Sequence, residues 1–309
     1  MLDHKQLIKS HFKSAKQSLI TIRDIIRFAV SLFNENKLYF GHGTTNAFDE
    51  AVYLILHQLN LPLDQLEPYF DAKLLPEELN KILAILEKRI VDRIPSAYLT
   101  NEAFLQNYSF YIDPRAIIPR SFIAEIILND ELSPYIEHPE LVHNVLDLCT
   151  GNGSLAIIAA DYFYDSEVIA VDLDENALAV AQINIKKYGF ENRIKTIQSN
   201  LWANLGQQQF DLIISNPPYV DKKRMQSLPP EYLHEPKIAL DGGDNGLFLI
   251  DEILQNAKNY LTDHGLLIIE MGDNREEIEE KYPDLPFNWL ETESGDGFIF
   301  TLTKSDLNS

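Results

Sequence analysis

The sequence predicts an α/β protein, with a mostly parallel, doubly wound sheet of seven strands preceded by a small helical domain. Two observations support this prediction. From residue 144 onward, continuous apolar runs of strand length alternate with segments of helical periodicity, as expected where helices cover both faces of a parallel sheet. The last two apolar runs are joined without a long helix, so they should pair as an antiparallel hairpin at the end of the sheet.

The first third of the chain is predicted to be helical, because its apolar residues recur at steps of three and four. The apolar stripes of three helices cover Leu19–Phe33, Phe48–Leu59 and Leu79–Ile90. Thr45 or Asn46 is expected to cap the second helix. This segment contains no ligand motif, so we predict a helical domain over residues 1–94 that recognises the substrate.

Residues 97–118 are rich in tyrosine, phenylalanine and isoleucine, with Asn-Glu and Asp-Pro breaks. That composition predicts a β-hairpin, and we assign residues 95–118 to a hairpin linker. A helix at Ile123–Leu128 opens the α/β domain, predicted over residues 119–309. Its strands are predicted at Asn144–Cys149, Glu167–Val171, Ile194–Gln198, Phe210–Ser215, Gly265–Glu270, Phe287–Glu291 and Gly297–Thr303. Its main helices are predicted at Ser154–Tyr164, Glu175–Tyr188 and Leu247–Leu261.

Composition narrows the class of protein. Hydrophobic residues make up 45% of the 309, and the single cysteine excludes an internal disulfide framework, which favours the cytoplasm. No signal peptide and no apolar run of membrane-spanning length is present, so no membrane association is expected. A net charge of −21 opposes stable binding to nucleic acid and favours a basic partner, although plain solubility explains the charge equally well. His234-Glu235-Pro236 lacks the second histidine of a zinc motif, so no metal is expected.

The first strand of the sheet is followed by a glycine-rich turn, Asp147-Leu148-Cys149-Thr150-Gly151-Asn152-Gly153. The two glycines let a ligand approach the backbone, and the amides at the following helix can bind an anion. Asp147 can accept from an ammonium group. A ligand with both charges suits this turn, such as the methionine moiety of S-adenosyl-L-methionine. Two alternatives remain here, a dinucleotide on the permissive pattern Gly151, Gly153 and Ala156, and a tight turn without a ligand.

Two further strand ends carry candidate cofactor contacts. Asp172 and Leu173 end the second strand, about twenty residues past the glycines, where an acid binds ribose hydroxyls. Asp172 could instead cap the next helix, but Asp174 suits that role better. Asn200 and Leu201 follow the third strand, where an adenine edge would lie; a polar loop without a ligand is an equal alternative.

Asn216-Pro217-Pro218-Tyr219, called here the NPPY turn, directly follows the fourth strand. Ligands of such sheets bind beyond the carboxyl ends of the strands. A planar amide or aromatic amine is a poor nucleophile because its lone pair is delocalised. The Asn216 side-chain carbonyl can accept one of its N–H groups and the Pro217 main-chain carbonyl the other, while Tyr219 stacks on the plane. Asn216, Pro217 and Tyr219 are therefore the candidate catalytic residues, and Asn216 is also expected to border the cofactor. A stiff Pro-Pro turn without chemistry is the alternative.

These motifs resemble the protein-glutamine methyltransferases, which modify side-chain amides in peptide release factors and in a ribosomal protein. Ala97-Tyr98-Leu99-Thr100, Ile118-Pro119-Arg120, and Glu235-Pro236 leading to Gly242-Gly243 are similar to segments of that family. Tyr39-Phe40-Gly41-His42-Gly43-Thr44 and Pro119-Arg120-Ser121 look like the branch that modifies the large-subunit ribosomal protein L three. Asn200 and Asn245 stand where the family usually has aspartate.

The resemblance implies a Rossmann-like class I methyltransferase fold and transfer of a methyl group from S-adenosyl-L-methionine to a glutamine nitrogen. The substrate would be the basic protein L three, before or during ribosome assembly. Three alternatives remain: a release-factor glutamine methyltransferase, a nucleic-acid adenine amine methyltransferase, and a non-catalytic assembly factor that binds S-adenosyl-L-methionine. The strong negative charge disfavours the adenine enzyme, and the intact NPPY turn disfavours the non-catalytic factor.

Overall fold

The computed structural model describes residues 4–293 and 295–308. Its helices are α1 (His4–Ser18), α2 (Ile22–Glu35), α3 (Ala47–Gln58), α4 (Pro76–Val91), α5 (Ser96–Thr100), α6 (Ile123–Leu128), α7 (Ser154–Tyr162), α8 (Glu175–Tyr188), α9 (Lys222–Met225), α10 (Phe248–Tyr260) and α11 (Arg275–Lys281). Its strands are β1 (Glu102–Leu105), β2 (Tyr108–Tyr111), β3 (Asn144–Leu148), β4 (Glu167–Asp172), β5 (Ile194–Gln198), β6 (Phe210–Ser215), β7 (Leu261–Glu270), β8 (Asn288–Thr292) and β9 (Gly295–Thr303).

The chain divides into two compact units. The first, called here the helical unit, consists of residues 1–102 and 229–234; the second, the sheet unit, consists of residues 103–228 and 235–309. The chain therefore leaves the sheet unit after residue 228, contributes six residues to the helical unit, and returns. The predicted division at residues 94 and 118 did not include this excursion, and the functional roles given to those parts remain predictions.

The helical unit is built on α1 to α5. Thr21 caps α2 with a reciprocal bond to Asp24, and Asn46 caps α3. Two details differ from the sequence prediction. Leu19 lies before α2 rather than in it, and α1 was not predicted, although Ile8 and Phe12 on one of its faces are buried.

Two surface details of this unit also differ from prediction. Phe48 is 47% exposed, because α3 buries the neighbouring face that carries Ala47, Ala51 and Leu54. Ala97–Thr100, predicted as strand, lies in the short helix α5, which begins directly after Pro95. Pro95 is the N-cap of this helix, and its carbonyl accepts from the amides of Tyr98 and Leu99 at 3.1 and 3.2 Å. These local bonds outweigh the strand propensity of Tyr98 and Thr100.

The sheet has seven strands in the order β5-β4-β3-β6-β7-β9-β8. Neighbours from β5 to β7 run parallel, whereas β9 pairs antiparallel with both β7 and β8. The predicted mostly parallel sheet with an antiparallel terminal hairpin is thus confirmed. The connection between the last two predicted strands includes residue 294, which lies outside the described residues. The strand order reverses around β3, so the crevice beyond the carboxyl ends of β3, β4 and β6 is where such a fold binds ligands.

Both faces of the sheet are covered, as continuous apolar strands require. One face packs on α6, α7 and α8, and the fully buried side chains between them include Ile157 of α7 and Ile214 of β6. The other packs on α10, with Ile213, Ile250 and Phe300 fully buried. Among the described residues, no helix has both the length and the apolarity to cross a bilayer.

Charge is distributed unevenly between the two parts of the sequence. Residues 1–102 contain 12 basic and 13 acidic side chains, so this stretch is nearly neutral. Nearly the whole net charge of −21 therefore belongs to the residues that build the sheet unit. A positively charged molecule is attracted chiefly to that unit.

Candidate active site

The glycine-rich turn after β3 is held by polar contacts among the residues predicted to bind a ligand. The Thr150 hydroxyl donates to Asp147 Oδ2 at 2.5 Å, and the Gly151 amide donates to Asp172 Oδ2 at 2.8 Å. Asp147 is fully buried, and its other oxygen, Oδ1, has no hydrogen-bond partner among the described residues. A buried carboxylate oxygen without a partner is costly unless a ligand supplies a donor.

Burial also changes the titration of these groups. Desolvation raises the pKa of Asp147 to about 7, with a smaller contribution from the negative charge of Asp172. Desolvation raises the pKa of Asp172 as well, against the main-chain amides of Asp174 and Gly151 that stabilise its ionised form. The pKa of the Cys149 thiol is raised for the same reason, so this thiol stays protonated at neutral pH and is not a nucleophile.

The remaining predicted residues lie at the same edge of the sheet. Leu173 is 51% exposed directly after Asp172, and the Ser199 amide donates to the Asp172 main-chain carbonyl at 3.0 Å, which brings the segment with Asn200 and Leu201 to the end of β4. Asn200 is exposed, whereas Leu201 is buried. This arrangement offers a carboxylate, an apolar surface and a polar amide along one crevice.

The NPPY turn begins where β6 ends beside β3. Leu148 and Ser215 are paired in the sheet, and the Ser215 hydroxyl donates to the Leu148 carbonyl at 2.9 Å. Pro217 is buried, whereas Asn216 and Tyr219 are half-buried. The side chain of Asn216 makes no hydrogen bond to any residue that the structure describes. Its amide is therefore available to a substrate at the crevice.

Tyr219 is enclosed by the loop that carries Gly242 and Gly243. The sequence showed this segment only as a family similarity, without a physical role. The Asn274 side chain donates to the Tyr219 carbonyl at 3.0 Å. A Cβ at Gly242 would lie 2.7 Å from Tyr219 Cα, and a Cβ at Gly272 would lie 2.7 Å from the Tyr219 ring. These glycines therefore let the loop and the β7 end close around the backbone and ring of the tyrosine.

Substitution of Gly246 should test this enclosure. A Cβ there would lie 2.4 Å from the Tyr219 carbonyl oxygen, and Gly246 has φ +76°. We expect Gly246→Ala to lower methyl transfer and the unfolding temperature, because the NPPY turn must shift. Gly206→Ala is the matched control, since Gly206 has φ +69° with no atom within 4 Å of its Cβ position. Both variants carry the same backbone strain, which costs about 1–2 kcal/mol. Equal losses of methyl transfer and of unfolding temperature in the two variants would therefore contradict a specific role for the contact between Gly246 and Tyr219.

Two buried carboxylates of the site were not predicted. Glu270, at the carboxyl end of β7, accepts from the Ser121 hydroxyl at 2.6 Å and from the Tyr219 hydroxyl at 3.3 Å. Glu235 accepts from Arg120 through both oxygens, at 2.7 and 2.9 Å. The signal for Glu270 was present in the sequence, because an acid directly after a continuous apolar run stands at the edge where Asp147 and Asp172 were found.

Comparison with known proteins agrees with this geometry. Residues 132–244 match the family model described as Methyltransferase small domain. A ribosomal protein uL3 glutamine methyltransferase of Neisseria gonorrhoeae is 55% identical over 296 residues, covering 96% of this chain and 98% of the relative. One of Burkholderia pseudomallei is 50% identical, covering 93% and 95%. The catalytic domain of hMettl16 in complex with an RNA hairpin superposes with a TM-score of 0.50 at 13% identity, over 74% of this chain and 80% of that one, and shows the shared fold alone.

Proposed function

Because this chain belongs to the family of ribosomal protein uL3 glutamine methyltransferases, we propose that it methylates the side-chain nitrogen of a glutamine in uL3, the protein L three named above. The observation that supports this function most directly is the unpartnered Asn216 side chain beside an enclosed Tyr219. A preorganised amide acceptor next to an aromatic ring fits a planar amide substrate. The Asn216 side chain makes no hydrogen bond within the described residues, so the fold does not account for its presence.

S-adenosyl-L-methionine is the proposed methyl donor, and when bound it supplies a methyl group already activated by its sulfonium. The partnerless Oδ1 of Asp147 fits the ammonium of its methionine moiety. Leu148, Cys149, Thr150, Gly151 and Gly153 would line that moiety. Asp172 and Leu173 would hold the ribose, Asn200 and Leu201 the adenine, and Asn216 would border the reacting end.

On the substrate side, Asn216 and Pro217 act as paired acceptors. The Asn216 side-chain carbonyl accepts one N–H of the glutamine amide and the Pro217 main-chain carbonyl accepts the other. The Pro217 ring fixes its φ, and the following Pro218 restricts its ψ to extended values and lacks an N–H group, so the direction of the Pro217 carbonyl is held. Tyr219 packs on the amide plane. These contacts orient the nitrogen and stabilise the positive charge that develops on it, so a strong general base is not required.

Cofactor binding should depend on pH through Asp147. Burial raises its pKa to about 7, and only the ionised carboxylate attracts an ammonium group. The affinity for S-adenosylhomocysteine, the demethylated product, should therefore fall by about tenfold for each pH unit below 7, because binding then requires release of a proton. Isothermal calorimetry from pH 5.5 to 7.5 measures this slope. Asp147→Asn should bind weakly with no such slope, and an unchanged slope in that variant would reject the assignment.

The proposed substrate is uL3 before or during assembly of the large subunit. Ribosomal proteins are basic, and the acidic excess of this enzyme lies in the unit that contains the NPPY turn. Complementary charge accelerates encounter with the free protein. An assembled subunit presents phosphate to a protein of net charge −21 and is repelled. We propose that the helical unit contributes recognition of uL3 through its surface rather than through net charge.

The proposed function is tested by labelled methyl transfer to free uL3, assembly intermediates, mature subunits, a release factor and ribosomal RNA, with Asn216→Ala as the inactive control. We expect label on a glutamine of free uL3, located by mass spectrometry. Rates should fall as salt rises, since fields are screened beyond about 10 Å at ~0.1 M. Faster methylation of the release factor would indicate a release-factor glutamine methyltransferase. Label on adenine of the ribosomal RNA would indicate an adenine amine methyltransferase. Cofactor binding without transfer to any acceptor would indicate a non-catalytic assembly factor.

A further inference from the structure

Glu270 is a buried acid with no role in the proposed chemistry so far. It ends β7, is 2% exposed, and lies at the same edge of the sheet as the NPPY turn. Burial raises its pKa to about 6, so it is ionised and accepts hydrogen bonds at neutral pH. A buried carboxylate is costly to maintain unless its partners compensate, which makes the identity of those partners informative.

The two oxygens of Glu270 serve different parts of the chain. Oε2 accepts from the Ser121 hydroxyl at 2.6 Å and the Phe122 amide at 2.9 Å, at the start of α6. Oε1 accepts from the Tyr219 hydroxyl at 3.3 Å. One oxygen is thus fixed by the scaffold, and the other is presented to the tyrosine.

A second constraint on Tyr219 acts on its ring and comes from Gly272, two residues beyond Glu270. The ring passes so close to this glycine that a Cβ would lie 2.7 Å from Tyr219 Cε2. The Tyr219 carbonyl is held separately by Asn274. The hydroxyl is therefore held by the last residue of β7, and the ring face and the backbone are each held by a residue shortly after it.

We propose that Glu270 is a positioning residue for methyl transfer, which sets the ring plane of Tyr219 against the substrate amide by accepting a hydrogen bond from the Tyr219 hydroxyl. This proposal rests on the role given to Tyr219 in the proposed function. Without Glu270 the ring could tilt, and it would then hold the substrate amide less firmly while the cofactor contacts stayed the same. Loss of Glu270 should therefore lower kcat and leave cofactor binding unchanged. The 3.3 Å separation is consistent with a bond that shortens when substrate closes the site.

The test compares Glu270→Gln, Tyr219→Phe, the double variant and Thr262→Ala as the matched control. Thr262 lies near the opposite end of β7, where its hydroxyl donates to Asp211 Oδ1 at 3.1 Å, so this control also removes a hydroxyl–carboxylate bond but leaves Glu270 and Tyr219 in place. We expect kcat to fall by about tenfold in Glu270→Gln and in Tyr219→Phe, with no further fall in the double variant. KM for S-adenosyl-L-methionine should stay unchanged, and Thr262→Ala should remain near the wild-type kcat.

A second measurement does not require activity. In protein labelled with carbon-13 at tyrosine Cζ, the Tyr219 resonance is identified by its loss in Tyr219→Phe. It should shift in Glu270→Gln and stay in place in Thr262→Ala. The proposal would be overturned if the losses in kcat of the two single variants multiplied in the double variant. It would also be overturned if the Tyr219 resonance did not move in Glu270→Gln. If wild-type enzyme methylated no glutamine, the proposed function would fail, and the resonance would decide the role of Glu270 independently.

Discussion

Asn216→Ala is expected to lower kcat by roughly 10²–10³, because it removes one preorganised acceptor at the reacting nitrogen. The affinity for S-adenosylhomocysteine should change far less, since the proposed donors and acceptors for the cofactor lie mainly on the turn after β3 and the end of β4. The unfolding temperature should also be nearly unchanged, because the Asn216 side chain has no hydrogen-bond partner among the described residues.

Steady-state methylation of free uL3 and calorimetry with S-adenosylhomocysteine measure the two effects separately. Asn204→Ala is a useful comparison, because the Asn204 side chain does have a partner, the Gln198 carbonyl at 2.8 Å, and lies on an exposed loop. It should leave kcat near the wild-type value. A near-normal kcat in Asn216→Ala would contradict the amide-gripping mechanism.

Arg89→Met is expected to destabilise the helical unit by about 3–5 kcal/mol, the cost of leaving buried charges unpaired. Arg89 is 1% exposed and donates to Glu50 at 2.6 Å, to Glu231 at 3.1 Å and to the Tyr39 carbonyl at 2.8 Å. Both carboxylates are buried as well. Methionine fills a similar volume but leaves the buried Glu50 without a cation, while Glu231 keeps only Arg93, at 3.2 Å.

Arg23→Met is the matched control, because Arg23 pairs with Asp71 on the surface, with side-chain exposures of 54% and 76%. Surface pairs contribute little to stability, so this variant should unfold like the wild type. Circular dichroism must accompany tryptophan fluorescence in the denaturation series, since Trp202 and Trp289 both belong to the sheet unit. Equal unfolding midpoints for Arg89→Met and Arg23→Met would contradict the importance of the buried network.

Much of the sheet unit could be predicted from the sequence, because its signals are local. The continuous apolar runs predicted β5 and β6 with correct bounds, and Asp174 caps α8 as expected. The side chains predicted to form the site meet at one edge because parallel strands all end there. Their individual roles remain predictions, for which the experiments above provide the tests.

The features of the site that could not be predicted are contacts between residues far apart in the sequence. The contact of Ser121 with Glu270 spans 149 residues, and nothing near either residue indicates the other. The glycines at 242 and 246 could be noticed as a motif, but their reason, the closeness of the Tyr219 backbone, exists only in the folded chain. In the helical unit, the hydrogen bonds accepted by the proline directly before α5 outweighed the strand propensity of its tyrosine and threonine.

The six residues 229–234 have a consequence for modular engineering and for synthesis. Glu231, the second acid of the Arg89 network, is translated 142 residues after its partner. A nascent chain therefore cannot complete the interior of its helical part until most of the sheet has been made. A fragment ending at residue 102 would carry Arg89 with only one of its carboxylates. Exchanging helical units between relatives therefore requires two additional splice junctions, one on either side of this hexapeptide.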